Sequence, residues 1–141
     1  MRKLFFDDVR DAPDDTWMLA RDVAGAKRLM QDYAFDVMSL DHDIGMQMMC
    51  EKCYAEIEKP VTTVMLASDK ELEDKLRTGC QHSEHGTHLA QWMIDTLTVW
   101  PDLIIIHSAN PYGADRMQGM LRNHTQTLRM NYDKEKLRRL G

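Results

Sequence analysis

The chain is 141 residues long, enough for one domain with a real core and too short for two independent ones. Its hydrophobic fraction of 43% is ordinary, and no apolar run approaches the roughly 18 residues of a membrane span, which excludes a spanning helix. A formal net charge of −5 argues against sequence-independent binding to duplex DNA, which takes many phosphate contacts.

Met1 to Phe6 runs straight into Asp7-Asp8 rather than into a signal-peptide core, so the expected location is cytoplasmic, with no membrane partner. Lys3 to Phe6 reads as a short strand that ends on Asp7 and Asp8. The loop Val9 to Asp15, with Pro13 and repeated aspartates, has turn chemistry and is too short for a helix. A second strand is expected at Trp17 to Ala20. A helix from Asp22 to about Asp32 follows, with Asp22 as its cap and Val23, Ala26, Leu29 and Met30 at helical spacing. The apolar run Phe35 to Leu40 predicts a third strand, with Asp41, His42 and Asp43 at its carboxyl end.

The alternation then breaks into an insertion over Met46 to His85, with a possible strand at Val61 to Ala67 and a charged helix at Asp69 to Leu76. It resumes with an amphipathic helix from Thr87 to Thr98 and a β-branched strand from Leu103 to Ile106 that ends in His107-Ser108-Ala109-Asn110. Pro111 suits the first turn of a helix running from about Tyr112 to His124, whose amino end would direct spare N–H groups into the crevice. A last strand, Thr127 to Tyr132, and a terminal helix, Asp133 to Leu140, complete one domain spanning residues 1–141. Strands alternating with helices predict a parallel, three-layer α/β sheet, and ligands bind such sheets beyond the carboxyl ends of their strands. Charge is unevenly placed, with 11 basic against 21 acidic residues in 1–115 and 7 against 2 in 116–141. The basic end reads as a solvated helix and tail, or as a place for a phosphate-bearing ligand.

Three residue sets carry chemistry. Asp7, Asp8 and Asp41 would gather carboxylates that a hard cation, Mg²⁺ or Mn²⁺, neutralises. His42 and His107, at two strand ends, are candidates for acid and base near neutral pH, as cleavage of a phosphodiester or cyclic phosphate requires. Ser108 is a candidate donor to a phosphate oxygen, and Asn110 a donor or an orienting group. The third set is Cys50, Cys53, Cys80, His82 and His85, of which four would make a closed tetrahedral site for structural zinc in a zinc-knuckle insertion.

Phe5-Phe6-Asp7-Asp8-Val9-Arg10, Ser39-Leu40-Asp41-His42-Asp43-Ile44-Gly45 and His107-Ser108-Ala109-Asn110-Pro111 together resemble the receiver-like family named for predicted cyclic-phosphate processing. The resemblance covers Lys3 to about Leu121 apart from the insertion. It implies a receiver-like (flavodoxin-like) fold, and action on cyclic phosphate ends of nucleotides or RNA through Asp7, Asp8, Asp41, His42, Asp43, His107, Ser108 and Asn110. Phosphorelay signalling is not implied: histidines stand where a phosphoacceptor site has none, and no lysine follows the last strand in the usual position.

The resulting expectation is a metal-assisted phosphoesterase whose ligand is a cyclic nucleotide or RNA end. Its alternatives are a module that binds such a phosphate without cleaving it, and a degenerate receiver that docks on a protein partner through the insertion.

Overall fold

A computed structural model describes residues 1–42 and 85–141, so most of the insertion, with the elements expected at Val61 to Ala67 and Asp69 to Leu76, lies outside the described residues. Five strands, β1 (Lys3–Phe6), β2 (Trp17–Ala20), β3 (Val37–Leu40), β4 (Leu103–Ile106) and β5 (Gln126–Arg129), form one sheet in the order β2-β1-β3-β4-β5. Every pairing is parallel. The helices among the described residues are α1 (Val23–Asp32), α2 (Gly86–Thr96), α3 (Pro111–Leu121) and α4 (Lys134–Leu140). This is the receiver-like, flavodoxin-like topology that the alternation of strands and helices predicts. None of the described helices is long and apolar enough to cross a membrane.

The sheet splits the core by residue parity, because successive side chains of a strand point to opposite faces. Leu4, Phe6, Met38, Leu40, Ile104 and Ile106 face α1, α2 and α3 in the larger cluster. Phe5, Trp17, Val37 and Ile105 face the other way and meet Leu137 of α4. Among the described residues the second face is thinly covered, since the chain passes from β1 to β2 through a loop, and α4, Ala12 and the segment around Tyr132 pack on that side.

Register then builds the crevice. Phe6 is level with Ala20 and Leu40, and Leu40 with Ile106, so the strands end together. The ladder continues for one more residue through Asp7 N–H to Ala20 O, Asp41 N–H to Phe6 O and His107 N–H to Leu40 O. Asp7, Asp41 and His107 therefore stand in one row, two steps beyond Phe5, Ser39 and Ile105 and on their face of the sheet. His42 and Ser108 follow on the opposite face, toward the helices.

Element boundaries moved by a few residues from expectation. β3 begins at Val37 rather than Phe35, because Asp36 is held by Arg2: the Arg2 N–H donates to the Asp36 carboxylate and the Asp36 N–H to Arg2 O, each at 2.8 Å. α3 closes at Leu121 because the His124 and Thr125 N–H groups both turn back to Leu121 O.

Candidate functional site

Asp7 is fully buried, and four donors converge on it. Its Oδ1 accepts from the Val9 and Arg10 backbone N–H groups at 3.0 and 2.9 Å. Its Oδ2 accepts from His107 Nε2 at 2.9 Å and from the Arg10 guanidinium at 3.3 Å. A carboxylate only accepts, so the His107 proton is on Nε2, and Nδ1 then accepts from the Ser39 hydroxyl at 2.6 Å. The ring is wholly buried and stacks on Phe5, with centroids 4.7 Å apart and planes 3° from parallel. Both His107 nitrogens are thus engaged inside the thin side of the sheet. His107, expected as an acid or base, is carried by parity to the side of Phe5 and Ser39, where it bonds Asp7 and Ser39.

The same contacts set the charges. Burial lowers the His107 pKa below its ordinary 6.5 by more than the Asp7 bond and charge raise it, with Arg10 lowering it further. Burial alone would raise the Asp7 pKa, but the His107 bond and the Arg10 and Val9 N–H groups together hold it well below its ordinary 3.8. Since His107 is neutral at pH 7, we ascribe its effect on Asp7 to the hydrogen bond rather than to a charge.

Stability is expected to fall in acid in two stages. Below pH 6.5 the unfolded chain takes up a proton at His107 that the fold refuses. Below pH 3.8 it takes up another at Asp7, so stability is complete above each ordinary value and is lost as pH drops toward the lowered one. Thermal melts from pH 7 to pH 5 check the first stage. A falling Tm that His107→Gln flattens agrees, and an equal fall in the variant does not.

His42, 1% exposed, lies on the helical side. The Asn110 amide is oriented by its own capping role: Oδ1 accepts from the Tyr112 and Gly113 N–H groups, each at 3.1 Å. Asn110 Nδ2 must therefore be the donor to His42 Nδ1, at 3.3 Å, which places the proton of the neutral His42 ring on Nε2. Two glycines make room. A Cβ on Gly113 would stand 2.3 Å from His42 Cγ, and one on Gly86 would stand 2.7 Å from His42 Cα. Gly113→Ala is expected to displace the His42 ring at a cost of about 1–3 kcal/mol. Urea unfolding measures it, and an unchanged midpoint would show that the ring has room to move.

The expected anion site at the amino end of α3 does not form. Pro111 has no N–H, Tyr112 and Gly113 donate to Asn110 Oδ1, and Ala114 donates to Asn110 O. Asn110 Oδ1 is the acceptor that caps the helix, and its Nδ2 faces His42 Nδ1.

The acidic set does assemble: Asp7, Asp8 and Asp41 each offer an oxygen, all within 4.8 Å of one another. Sequence reasoning missed the cation already among them. Arg10 reaches Asp7 at 3.3 Å and Asp41 at 3.9 Å, with Tyr132 beneath it at 5.3 Å. Its loop is strapped by Arg21, which donates to Arg10 O at 2.6 Å and pairs with Asp11 at 3.3 Å. Among the described residues, three carboxylates gather around one guanidinium. Because Arg10 and His107 already occupy Asp7 Oδ2, Asp8 and Asp41 are the principal candidate ligands.

Ser108 is 7% exposed, with Oγ accepting from the Asn110 N–H at 3.1 Å, which leaves the hydroxyl proton to donate elsewhere. It borders a cavity of about 230 Å³ lined also by Arg129 and Asn131 at the end of β5. Asp43, Cys50, Cys53, Cys80 and His82 lie outside the described residues. His85 is the N-cap of α2, its Nδ1 accepting from the Thr87 N–H at 3.2 Å. A neutral ring that accepts at Nδ1 carries its proton on Nε2 and has no lone pair left for a metal.

Carboxylates and a guanidinium at the strand ends of a 2-1-3-4-5 sheet, with the buried His42 next in the chain after Asp41, define a receiver-like domain with an elaborated acidic crevice. The chain belongs to the cyclic-phosphate processing receiver domain family, whose profile matches residues 2–123. The match takes in Asp7, Asp8, Arg10, Asp41, His42, His107, Ser108 and Asn110 and stops before β5, Tyr132 and α4. No curated protein and no solved structure matches the chain.

Proposed function

We propose that this domain is a metal-assisted phosphoesterase acting on cyclic phosphate groups of nucleotides or RNA ends. The observation that carries the reading is the meeting of Asp7, Asp8 and Asp41 within 4.8 Å beside Arg10, with His42 delivered to the same strand ends. Mg²⁺ or Mn²⁺ held by Asp8 and Asp41, with Asp7 as third neighbour, would supply charge neutralisation at phosphoryl oxygens. Arg10 binds a phosphate oxygen by the bidentate geometry that suits guanidinium. The Ser108 hydroxyl donates to a second oxygen. His42 Nε2–H is a donor to the leaving oxygen, held in that tautomer by Asn110. His107 and Asn110 act through Asp7 and His42 and touch no substrate. For structural zinc, with His85 engaged as a cap, the proposed ligands are Cys50, Cys53, Cys80 and His82, which would supply the four that a tetrahedral site takes.

Incubation with 2′,3′-cyclic and 3′,5′-cyclic nucleotides and cyclic-ended RNA, followed by phosphorus NMR, tests the reading. A monoester signal that grows with Mg²⁺ or Mn²⁺ and is absent with chelator is expected. Unchanged spectra together with saturable ligand binding would establish the second reading, a module that holds a phosphate without cleaving it. That reading is favoured by one observation: the second histidine of the expected acid and base pair is buried with both nitrogens engaged.

A further inference from the structure

Helix α2 opens in an uncommon way. Ser, Thr, Asp and Asn are the favoured caps, with Glu or Gln three residues on in a capping box. Here both places are histidines: His85 Nδ1 accepts from the Thr87 N–H at 3.2 Å, and His88 Nδ1 accepts from the His85 N–H at 3.1 Å. Short side chains would cap the helix at least as well, so capping does not account for two imidazoles. What they add is a row of close, tilted ring contacts, with planes 37° apart between His42 and His85 and 42° apart between His85 and His88. The His85 ring lies 4.5 Å from the His42 ring, and the His88 ring 4.2 Å from that of His85. His85 is 3% exposed and so is fixed in place. The helix is also docked directly on the residue it supports, since the Gly86 N–H donates to His42 O at 2.9 Å.

We propose that His85, backed by His88, is a positioning residue for His42. The cap fixes the His85 ring to the first turn of α2, and that ring holds the His42 imidazole in the plane where Asn110 Nδ2 reaches its Nδ1, so the Nε2–H tautomer depends on both. Two helix starts thus converge on one side chain: α2 through His85, and α3 through Asn110 and Gly113. His42 presents Nε2–H in one direction without a search over ring orientations. The inference rests on the proposed role of His42 in handling phosphate, but the placement of the ring is a separate claim.

Two substitutions separate the ring from the cap. His85→Asn keeps a good N-cap and removes the ring, whereas His85→Phe keeps a ring and removes the cap acceptor. With His85→Asn, Tm is expected to stay near wild type, kcat to fall roughly tenfold and KM to change less than about twofold. With His85→Phe, Tm is expected to fall by roughly 3–5 °C while most of the turnover returns.

Nitrogen-15 NMR of histidine-labelled full-length chain reads His42 directly. The single Nε2–H pattern of wild type should become a mixture in His85→Asn and be restored in His85→Phe. Wild-type turnover with an unchanged His42 pattern in His85→Asn would overturn the proposal. A His85→Phe variant that folds but leaves the His42 pattern mixed would also overturn it. Should the wild type cleave no cyclic phosphate, the phosphoesterase reading fails alone, because the His42 pattern decides the positioning claim without turnover.

Discussion

Asp7→Ala is expected to lower folding stability by about 3–5 kcal/mol, the cost of removing the partner of several buried donors at once. The Asp7 carboxylate accepts from two backbone N–H groups, from His107 Nε2 and from the Arg10 guanidinium. Without it, His107 keeps only its Ser39 bond and its stack on Phe5, and Arg10 sits beside a buried hole. The turn from β1 into the loop over residues 7–16 loses its organising acceptor as well. Urea denaturation of Asp7→Ala and of Asp15→Ala, an exposed position, makes the comparison. The surface change should stay within about 0.5 kcal/mol. A loss below about 1 kcal/mol at Asp7 would contradict the account, since unmade hydrogen bonds of buried groups cost at least that.

The second large effect is on turnover. His42→Phe is expected to reduce kcat by roughly 10²- to 10³-fold, the range lost with one positioned hydrogen-bond donor to developing negative charge. Phenylalanine keeps a ring between Gly113 and His85, so circular dichroism and the unfolding transition should survive. His107→Gln should show the opposite balance, with stability falling more than turnover, because that ring packs on Phe5 and holds Asp7. Comparing kcat for the two variants at a temperature where both are folded decides between them. A His42→Phe variant with wild-type kcat would remove His42 from the chemistry.

Most of the scaffold was legible because its signals are local. Asp22 before Val23, Ala26 and Met30 gives α1, and the β-branched run before His107 gives β4. The three strand ends carrying Asp7, Asp41 and His107 could be read as one crevice because parallel strands of equal length finish together. What escaped was the division of labour within it. His42 and His107 look equivalent in the sequence, yet His107 is an even number of residues from Ile105 and His42 an even number from Leu40. Those two strand residues face opposite sides of the sheet. Strand parity alone, applied one residue past each end, separates them.

Arg10 was missed because its importance comes from the turn. Three residues after Asp7, it is folded back onto that carboxylate by the same N–H groups that close the loop. Asn110 carried a readable signal, since Asn before Pro111 is the cap and first turn of a helix. Of the two roles read for it, donor or orienting group, the contact with His42 belongs to the second. The double-histidine opening of α2 had no such signal, because histidine is not a favoured cap. The cysteines of the expected zinc set, with His82 and Asp43, lie among residues 43–84, outside what is described.

The measurement that tests the central claim most directly is a long-range proton to nitrogen-15 correlation of the histidine rings in the intact chain, followed from mildly alkaline to mildly acidic pH. The central claim is that the two histidines of the crevice differ in kind. His107 is predicted to remain neutral, with its proton on Nε2, down to a pH well below its ordinary 6.5, and neutral His42 to carry its proton on Nε2 as well. A His107 ring that takes up its proton near pH 6.5, with its two nitrogens averaging, would contradict the buried Asp7–His107–Ser39 arrangement on which the account depends.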